Sequence, residues 1–559
     1  MKKAILVCVA VSVGLLGLWF YGWPAYKRHR ETRSIEQARE FMAKTDYRNA
    51  SLSARQALQM NSCNVEACQM IAELADLSRS PQAINWRRRV AELNPTIENK
   101  LMLASTALRL QGPPYPLAAQ TLEELASSSQ NIAAYHAVSA ELALKLKKPV
   151  EAVAGLEQAN RLDPTNELYQ FNLAVLRLQS TNAAAASAAH ATLDRLRANP
   201  NLGSVALRWL ITDSLRQDDL ATAQQFSQQL LAGPQAAPGD RLQHLTILRQ
   251  SNSPEFTSFL GVTQKNAQTN ASEIYGLSAW MISQNLVDEA LVWLTNCPVK
   301  IRAEQPVPLA IVDCYLTKKD WGRLDTFLQE QKKWADRECL RLAFLSLAAA
   351  ELKQNLAAEA RWRAAVREAG ERLGPLTALL AMAESWKREK AQEDLLWLIA
   401  QRFPGERWTL RELNRIYLAN GNTYGLNKLY SATAGYDSKN YVAQNNLAAT
   451  SFLLKLNLPR AHELAKEVFT QHPEEPIVAS TYAYSLHLQG RTQEGLAVLT
   501  KQKTEALEIP SVALYYGLLL SASGETNKAD KYLGIAAQSK LLPEEKALLT
   551  NATRRAPGR

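Results

Sequence analysis

The apolar and polar residues of the chain alternate as they do in helix hairpins, and the segment Tyr135–Asn166 shows this pattern most clearly. Its first helix carries a small residue, Ala140, on one face, and its second helix carries Ala152 and Ala159. Pro164 ends the second helix, because proline has no backbone N–H with which to continue it. Two consecutive helices, each apolar on one face, predict a hairpin that packs along its apolar faces.

The hairpin recurs along the chain with a steady phase. The small position of its second helix returns about every 34 residues, at Ala50, Ala83, Ala118, Ala152, Ala188, Ala223, Ala290, Leu324, Ala358, Gln392, Asn427, Ala461, Gly495 and Ala529. Small side chains let helices approach closely, and stacked hairpins bury each other's apolar faces. We expect helix breaks near Pro95, Pro164, Pro200, Pro404 and Pro473. Copies between about 240 and 440 have lost several small residues, which predicts local irregularity there.

These residues resemble the tetratricopeptide repeat (TPR) family, which has three small positions and a closing proline in each helix–turn–helix unit. The matching positions are Ala140, Ala152, Ala159 and Pro164, then Ala449, Ala461, Val468 and Pro473, then Ala483 and Gly495, and then Gly517 and Ala529. The resemblance covers about residues 31–543. It implies an all-α fold, a right-handed α-solenoid of about 12 to 15 hairpins with a groove that binds peptides or partner domains.

The N-terminal stretch, residues 4–23, contains no charged residue. At about 1.5 Å per residue a helix of this length spans about 30 Å, one hydrocarbon thickness. Aromatic residues and then Lys27 and Arg28 follow, as at a membrane interface. We therefore predict a single-pass N-terminal anchor in a bacterial inner membrane. A cleaved signal peptide is the alternative, although no small-residue cleavage site follows the stretch. The side on which the repeats lie stays open.

The pattern divides the chain into five segments. They are the anchor with its basic flank (1–30), an N-terminal TPR-like array (31–239), degenerate repeats (240–440), well-formed C-terminal repeats (441–543), and a capping helix with a basic tail (544–559).

Composition and charge narrow the possible functions. The net charge is +10, but the excess lies mostly at the two ends of the chain, so we expect no nucleic-acid partner. The six cysteines and seven histidines are scattered without metal-ligand spacing. No phosphate loop, dinucleotide fingerprint or nucleophile elbow occurs, so we predict no cofactor, no metal and no enzyme activity. The basic run Arg87–Arg89 fits a solvated helix face, with phosphate or lipid headgroup contact as the alternative.

The shape implied by the resemblance points to protein binding. Our leading hypothesis is a non-enzymatic, membrane-tethered scaffold that binds partner peptides or domains in the groove of the repeats. A regulatory adaptor subunit of a membrane or envelope enzyme complex is the alternative. A third class, an enzyme with an unrecognised site between helices, would require polar side chains that converge in a closed pocket.

Four residues of the C-terminal repeats are candidates for contact with a partner. In this family the first helix of each hairpin lines the groove, one turn before and just after its small residue. Counting from Ala449 and Ala483 selects Asn446, Thr450, Ser480 and Tyr484. These polar and aromatic side chains could bond an extended peptide backbone.

Overall fold

The computed structural model describes residues 23–180 and 182–554, and every regular element within these ranges is a helix. They form two compact units, which divide between Ile311 and Val312. The predicted all-α array of helix hairpins is confirmed. The predicted membrane span lies outside the described residues except for Trp23. Among the helices of the described ranges, none is both long and apolar enough to cross a bilayer.

Unit 1 is a series of hairpins whose first helices pack in succession. Its helices are α1 (Trp23–Ala43), α2 (Tyr47–Met60), α3 (Val65–Leu77), α4 (Gln82–Leu93), α5 (Ile97–Leu110), α6 (Pro116–Leu125), α7 (Ala133–Lys145), α8 (Pro149–Leu162), α9 (Glu167–Leu178), α10 (Ala183–Leu196), α11 (Gly203–Arg216), α12 (Leu220–Ala232), α13 (Pro238–Gln250), α14 (Phe256–Ala267), α15 (Ala271–Ser283), α16 (Val287–Thr295) and α17 (Val299–Arg302). Helices α1 to α16 pack as eight consecutive pairs. First helices of neighbouring pairs also touch, as α5 does with α7 and α9 with α11.

Unit 2 is also built from helix hairpins. The division falls within α18 (Val307–Lys318), which is followed by α19 (Trp321–Glu330), α20 (Glu338–Glu351), α21 (Asn355–Ala369), α22 (Leu373–Ser385), α23 (Glu389–Arg402), α24 (Trp408–Asn420), α25 (Thr423–Tyr436), α26 (Tyr441–Leu454), α27 (Leu458–Gln471), α28 (Pro476–Leu488), α29 (Thr492–Leu499), α30 (Thr504–Leu507), α31 (Pro510–Ala522), α32 (Thr526–Ala537) and α33 (Pro543–Arg554). Six pairs pack as hairpins, from α20–α21 to α28–α29 and then α31–α32.

Local sequence signals set the ends of these helices. Side chains that accept a backbone N–H cap ten helix starts in the described ranges: Asp46, Asn64, Thr96, Asn166, Asn182, Asp219, Asn270, Asp320, Asn422 and Asn440. Others begin with a proline in the first turn, such as Pro149, Pro476 and Pro510. The chain leaves helical geometry at all five predicted breaks, near Pro95, Pro164, Pro200, Pro404 and Pro473.

Small residues lie where the two helices of a hairpin cross. Ala140, Ala152 and Ala159 are each 0% exposed, and a Cβ on Gly155 would lie 3.0 Å from the Cβ of Ala140. Similar close approaches recur in unit 2, where a Cβ on Gly517 would lie 2.8 Å from the Leu533 side chain. Ala461 and Ala529 are also buried, whereas Pro164 and Pro473 lie in turns. Larger side chains at these crossings would separate the helices.

The predicted phase is wrong by one residue in α10. Ala188 is exposed, and its neighbour Ala189 is buried at 3% exposure instead. The run of alanines from Ala183 to Ala186 and beyond offers several small residues, so side-chain size could not select the one that faces α9. Packing against α9 determines that Ala189 is the buried residue.

Degenerate copies replace close packing by other contacts. Leu324 stands where other copies have a small residue, and its apolar side chain is fully buried. Asn427 donates from its amide to Thr450 Oγ1 at 3.1 Å and to Ser451 Oγ at 2.9 Å, and so bonds α25 to α26. The expected irregularity takes the form of short extra helices: α17, and a 3₁₀ turn at Ala335–Arg337.

The basic run contains one residue that does not face solvent. Arg87 is 8% exposed and donates to Asp76 Oδ2 from Nε at 2.9 Å and from Nη2 at 2.7 Å. Thr106 also donates to Asp76, at 3.1 Å. The interpretation of a solvated face is therefore wrong for Arg87, because the carboxylate of Asp76 holds its guanidinium inside the hairpin. Arg88 is exposed.

Candidate functional site

The largest cavity that we describe in unit 2 lies between the first helices of two consecutive hairpins. It has a volume of about 830 Å³ and is bounded by α24, α25 and α26. We call it the upstream cavity, and its polar lining comes mainly from Arg407, Arg411, Asn414, Tyr430, Asn440 and Asn446.

A chain of hydrogen bonds in the lining of the upstream cavity links one hairpin to the next. Tyr430 Oη donates to Asn414 Oδ1 at 2.9 Å. The Asn446 amide donates to the same phenolic oxygen, which lowers the pKa of Tyr430, while burial raises it by a larger amount. Tyr430 is therefore a neutral phenol that holds one asparagine on α24 and another on α26 in fixed orientations. Each asparagine keeps amide atoms for a guest.

Charged side chains surround this amide pair. Arg407 and Arg411 lie one helical turn apart and are exposed, and neither forms an ion pair within the described ranges. Glu406 and Asp437 also line the cavity, but Glu406 accepts from Trp408 Nε1 at 2.8 Å and Asp437 from the backbone N–H of Lys439 at 3.2 Å. These neutral donors do not cancel the charge of the carboxylates, so the lining carries two guanidinium groups and two carboxylates, none of which forms an ion pair within the described ranges.

A second cavity, which we call the downstream cavity, adjoins the first because Tyr430 and Asn446 line both. Its volume is about 440 Å³. Helices α26, α28 and α31 form its walls, and the segment Lys540–Glu545 covers part of it. Three of the four predicted groove residues, Asn446, Thr450 and Ser480, line this cavity.

The predicted residues differ in what they can offer a ligand. Asn446 is half-buried, whereas Thr450 and Ser480 are 5% and 1% exposed. Tyr484 is 5% exposed and lines neither cavity; its ring lies 4.6 Å from that of Tyr515, which does line the downstream cavity. Burial raises the pKa of Tyr484 to about 12. Tyr484 therefore supports the wall and does not present its ring to solvent.

The C-terminal segment reaches the downstream cavity by returning to hairpins far back in the chain. Lys540 Nζ donates to the carbonyl of Ala419 at 3.0 Å, and Thr423 Oγ1 donates to Glu544; both pairs are 121 residues apart. Gly421 permits this approach, because a Cβ there would lie 3.3 Å from Pro543 Cδ. We call residues 540–554 the return segment.

Sequence reasoning missed several of these residues. Asn414 and Tyr430 lie in a hairpin whose repeat position holds Asn427 in place of a small residue, and groove residues were selected only from the well-formed repeats. Asn445 was missed because the family pattern selects its neighbour Asn446. Glu545 could not be found from repeat spacing, because it reaches the site through the return segment. Arg407 and Arg411 carried only the weak signal of two cations one turn apart.

The described residues contain no group of three or more histidine, cysteine, aspartate or glutamate side chains arranged to hold a metal ion. Of the five cysteines in the described ranges, four are buried, and Cys63 is exposed. Burial raises the pKa of the Cys314 thiol to about 12. No cysteine lines either cavity, and the polar groups that the two cavities offer for binding are amides, hydroxyls and charged side chains.

Comparison with known proteins gives similarity of fold alone. No protein family and no curated protein matches the chain. A solved structure from the functional characterization of Pseudomonas aeruginosa pilF is 15% identical, with a TM-score of 0.32, over 40% of this chain and 99% of that one. The Cut9–Hcn1 hetero-tetramer of APC/C is 11% identical, with a TM-score of 0.31, over 96% and 99%. Naa15/Naa10 bound to HypK-THB is 14% identical, with a TM-score of 0.26, over 94% and 79%. At these values the description of the fold rests on the hairpins of this chain itself.

Proposed function

We propose that this protein is a non-enzymatic, membrane-tethered scaffold that binds a segment of a partner protein on the face of unit 2 that contains the upstream cavity. The observation that carries the proposal is the bonded Asn414–Tyr430–Asn446 set, which presents side-chain amides from two consecutive hairpins beside an open volume of about 830 Å³.

These groups suit an extended peptide. A side-chain amide can donate to a backbone carbonyl and accept from a backbone N–H, so two fixed asparagines can replace a strand neighbour. Because Tyr430 already orients both, little side-chain entropy is lost on binding. Arg407 and Arg411 add two cations for an acidic side chain of the same peptide.

Membrane tethering rests on residues 4–23, which are uncharged and long enough to span a bilayer. The full chain should then remain with membranes during alkaline extraction. A shortened chain that begins at Glu31 should be released. Detection of a mature amino terminus beyond Tyr26 would replace the anchor by a cleaved signal peptide.

Site-specific photo-crosslinking tests the binding face directly. A photoreactive phenylalanine analogue in place of Tyr436, which lines the upstream cavity, should crosslink to partner protein in cells. The same analogue in place of Tyr424 is the matched control, because Tyr424 lies on the same helix and is 68% exposed but lines neither cavity.

The double variant N414A/N446A should reduce the crosslink from position 436 by about tenfold or more, as for interface hot spots. Helicity should not change, because the side chains of both asparagines bond only other side chains and no helix backbone. Equal crosslinking from positions 424 and 436, or an undiminished crosslink in the double variant, would place the binding surface elsewhere.

A further inference from the structure

The downstream cavity contains a buried hydrogen-bond acceptor that has no partner. Asn445 is 2% exposed and lines the cavity, and its Oδ1 atom accepts no hydrogen bond from any described residue. A buried carbonyl without a donor destabilises the fold, so such atoms are rare in folded proteins. Asn445 therefore calls for a donor supplied from outside the helices.

Three hydroxyl groups of the cavity direct their protons elsewhere and do not supply that donor. Ser480 Oγ and Thr481 Oγ1 both donate to the carbonyl of Ile477, at 2.8 and 3.1 Å, and Thr450 Oγ1 donates to the carbonyl of Asn446 at 2.7 Å. A hydroxyl has one proton to donate and two lone pairs to accept with. These three side chains thus face the cavity as acceptors.

The carboxyl group of Glu545 is a further hydrogen-bond acceptor in this cavity. Glu545 Oε2 accepts from the backbone N–H of Leu542 at 2.9 Å, and the Tyr515 hydroxyl donates to the same carboxyl. Glu545 forms no ion pair with another described residue. The nearby Lys540 lies at the edge of the cavity and directs its ammonium to the carbonyl of Ala419. Burial raises the pKa of Glu545, as expected for a carboxyl without a counter-ion.

We infer that the downstream cavity is a subsite for a basic side chain, the guanidinium of an arginine or the ammonium of a lysine, contributed by the partner segment. It rests on the unpartnered Asn445 carbonyl and the unpaired Glu545 carboxyl, which both belong to residues that line the same volume of about 440 Å³. A guanidinium carries five N–H donors and no acceptor, which complements this lining. The inference rests on the proposed function and names one side chain that its partner must carry.

Binding of short peptides to the full chain in detergent tests the subsite. The probes are fluorescent, end-capped pentapeptides, Ala-Leu-Xaa-Leu-Ala, in which Xaa is arginine, lysine, citrulline or leucine. Citrulline has the shape of arginine without its charge. We expect saturable anisotropy changes with arginine and lysine, and binding weaker by about tenfold or more with citrulline and leucine.

Two variants and one control locate the effect. Glu545→Gln keeps the acceptor for the Leu542 N–H but removes the charge. It should weaken binding of the arginine peptide about tenfold and leave binding of the citrulline peptide unchanged. Asn445→Ala should weaken binding of the arginine peptide about fivefold. Asn160→Ala is the matched control, because the Asn160 carbonyl also lacks a partner and lines a cavity of about 210 Å³ in unit 1. This variant should bind like the unmodified chain.

Several outcomes would overturn the inference: no saturable binding of the arginine peptide, equal binding of the arginine and citrulline peptides, or full binding by both the E545Q and N445A variants. Free n-butylguanidinium that binds as tightly as the arginine peptide would identify a small cation as the ligand and would also overturn it. If the arginine and lysine peptides do not bind but the crosslink from position 436 persists, the proposed function is supported and the basic subsite is rejected. If these peptides bind but the crosslink is absent, the subsite is supported and the proposed function is rejected.

Discussion

Unit 1 and the C-terminal half of unit 2 are built from the same hairpin. The contacts that connect their hairpins, however, span different numbers of residues along the chain. In unit 1, ion pairs link neighbouring hairpins about one repeat apart, as between Arg208 and Asp240 and between Arg241 and Glu273, each 32 residues apart. In unit 2 the return segment bonds residues 121 positions back. Neighbour contacts alone build an open array. The long-range return partly covers one stretch of the array and so creates the downstream cavity.

This comparison predicts that damage stays local in unit 1. Asp76→Ala should cost about 3 to 5 kcal/mol of the free energy of unfolding, because it leaves Arg87 charged and buried without its partner. Chemical denaturation of the full chain measures the loss, and hydrogen exchange should show it in the hairpins around α3 to α6 only. Glu66→Ala is the control, since its partner Arg39 is 60% exposed and solvent screens the pair, so its loss should change the free energy of unfolding far less. Faster exchange of α33 in the D76A variant would contradict a neighbour-only array.

Close packing in unit 2 can be tested with two glycines on one helix, α25. A Cβ at Gly425 would lie 2.6 Å from the Tyr417 ring, which cannot move freely because its hydroxyl bonds Glu393 and Trp397. Gly425→Ala should therefore destabilise by about 1 to 3 kcal/mol, measured as a lower melting temperature. At Gly435 nothing lies within 4 Å of a new Cβ, so Gly435→Ala should stabilise slightly through its better helix propensity. Equal melting of the two variants would show that α24 and α25 are not held at this distance.

The return segment itself can be loosened without touching either cavity lining. Thr423→Val removes the hydroxyl that donates to Glu544 and should cost about 1 kcal/mol, which is about a fivefold increase in the exchange rate of the α33 amides. Thr550→Ala is the control, because the Thr550 hydroxyl bonds only the carbonyl of Lys546 within α33. If exchange of α33 is as fast in the unmodified chain as in T423V, the long-range bonds do not hold the return segment.

The smallest expected effect is a pH dependence of the return segment. Because the folded-state pKa of Glu545 is raised by burial, the folded state binds more protons than the unfolded state just above the ordinary pKa of a glutamate. The stability contributed by this contact should be greatest below that value and should fall as pH rises through the raised pKa. Exchange of the α33 amides at a series of pH values, corrected for the intrinsic rate, measures it. Glu545→Gln should flatten the profile, and an unchanged slope would assign the dependence to another group.

The sequence by itself determined the class of fold, because the signals of a hairpin are local. Small residues, helix caps and prolines act within one repeat, so their spacing predicted all-helical pairs and the five breaks that we find. It also led to Asn446, Thr450 and Ser480, which line one cavity. It could not choose between Ala188 and Ala189, because both are small and only the packing of α9 against α10 distinguishes them.

Tertiary structure alone decided which distant side chains meet, both in the site and outside it. The pairing of Asp76 with Arg87 and of Tyr430 with Asn414 and Asn446 depends on distances between helices, which composition does not encode. The presence of Glu545 in the same cavity lining as Asn445 depends on a chain that turns back 121 residues to bond Thr423 and Ala419. Repeat spacing describes contacts between neighbours, so a contact that skips several repeats lies beyond what it can predict.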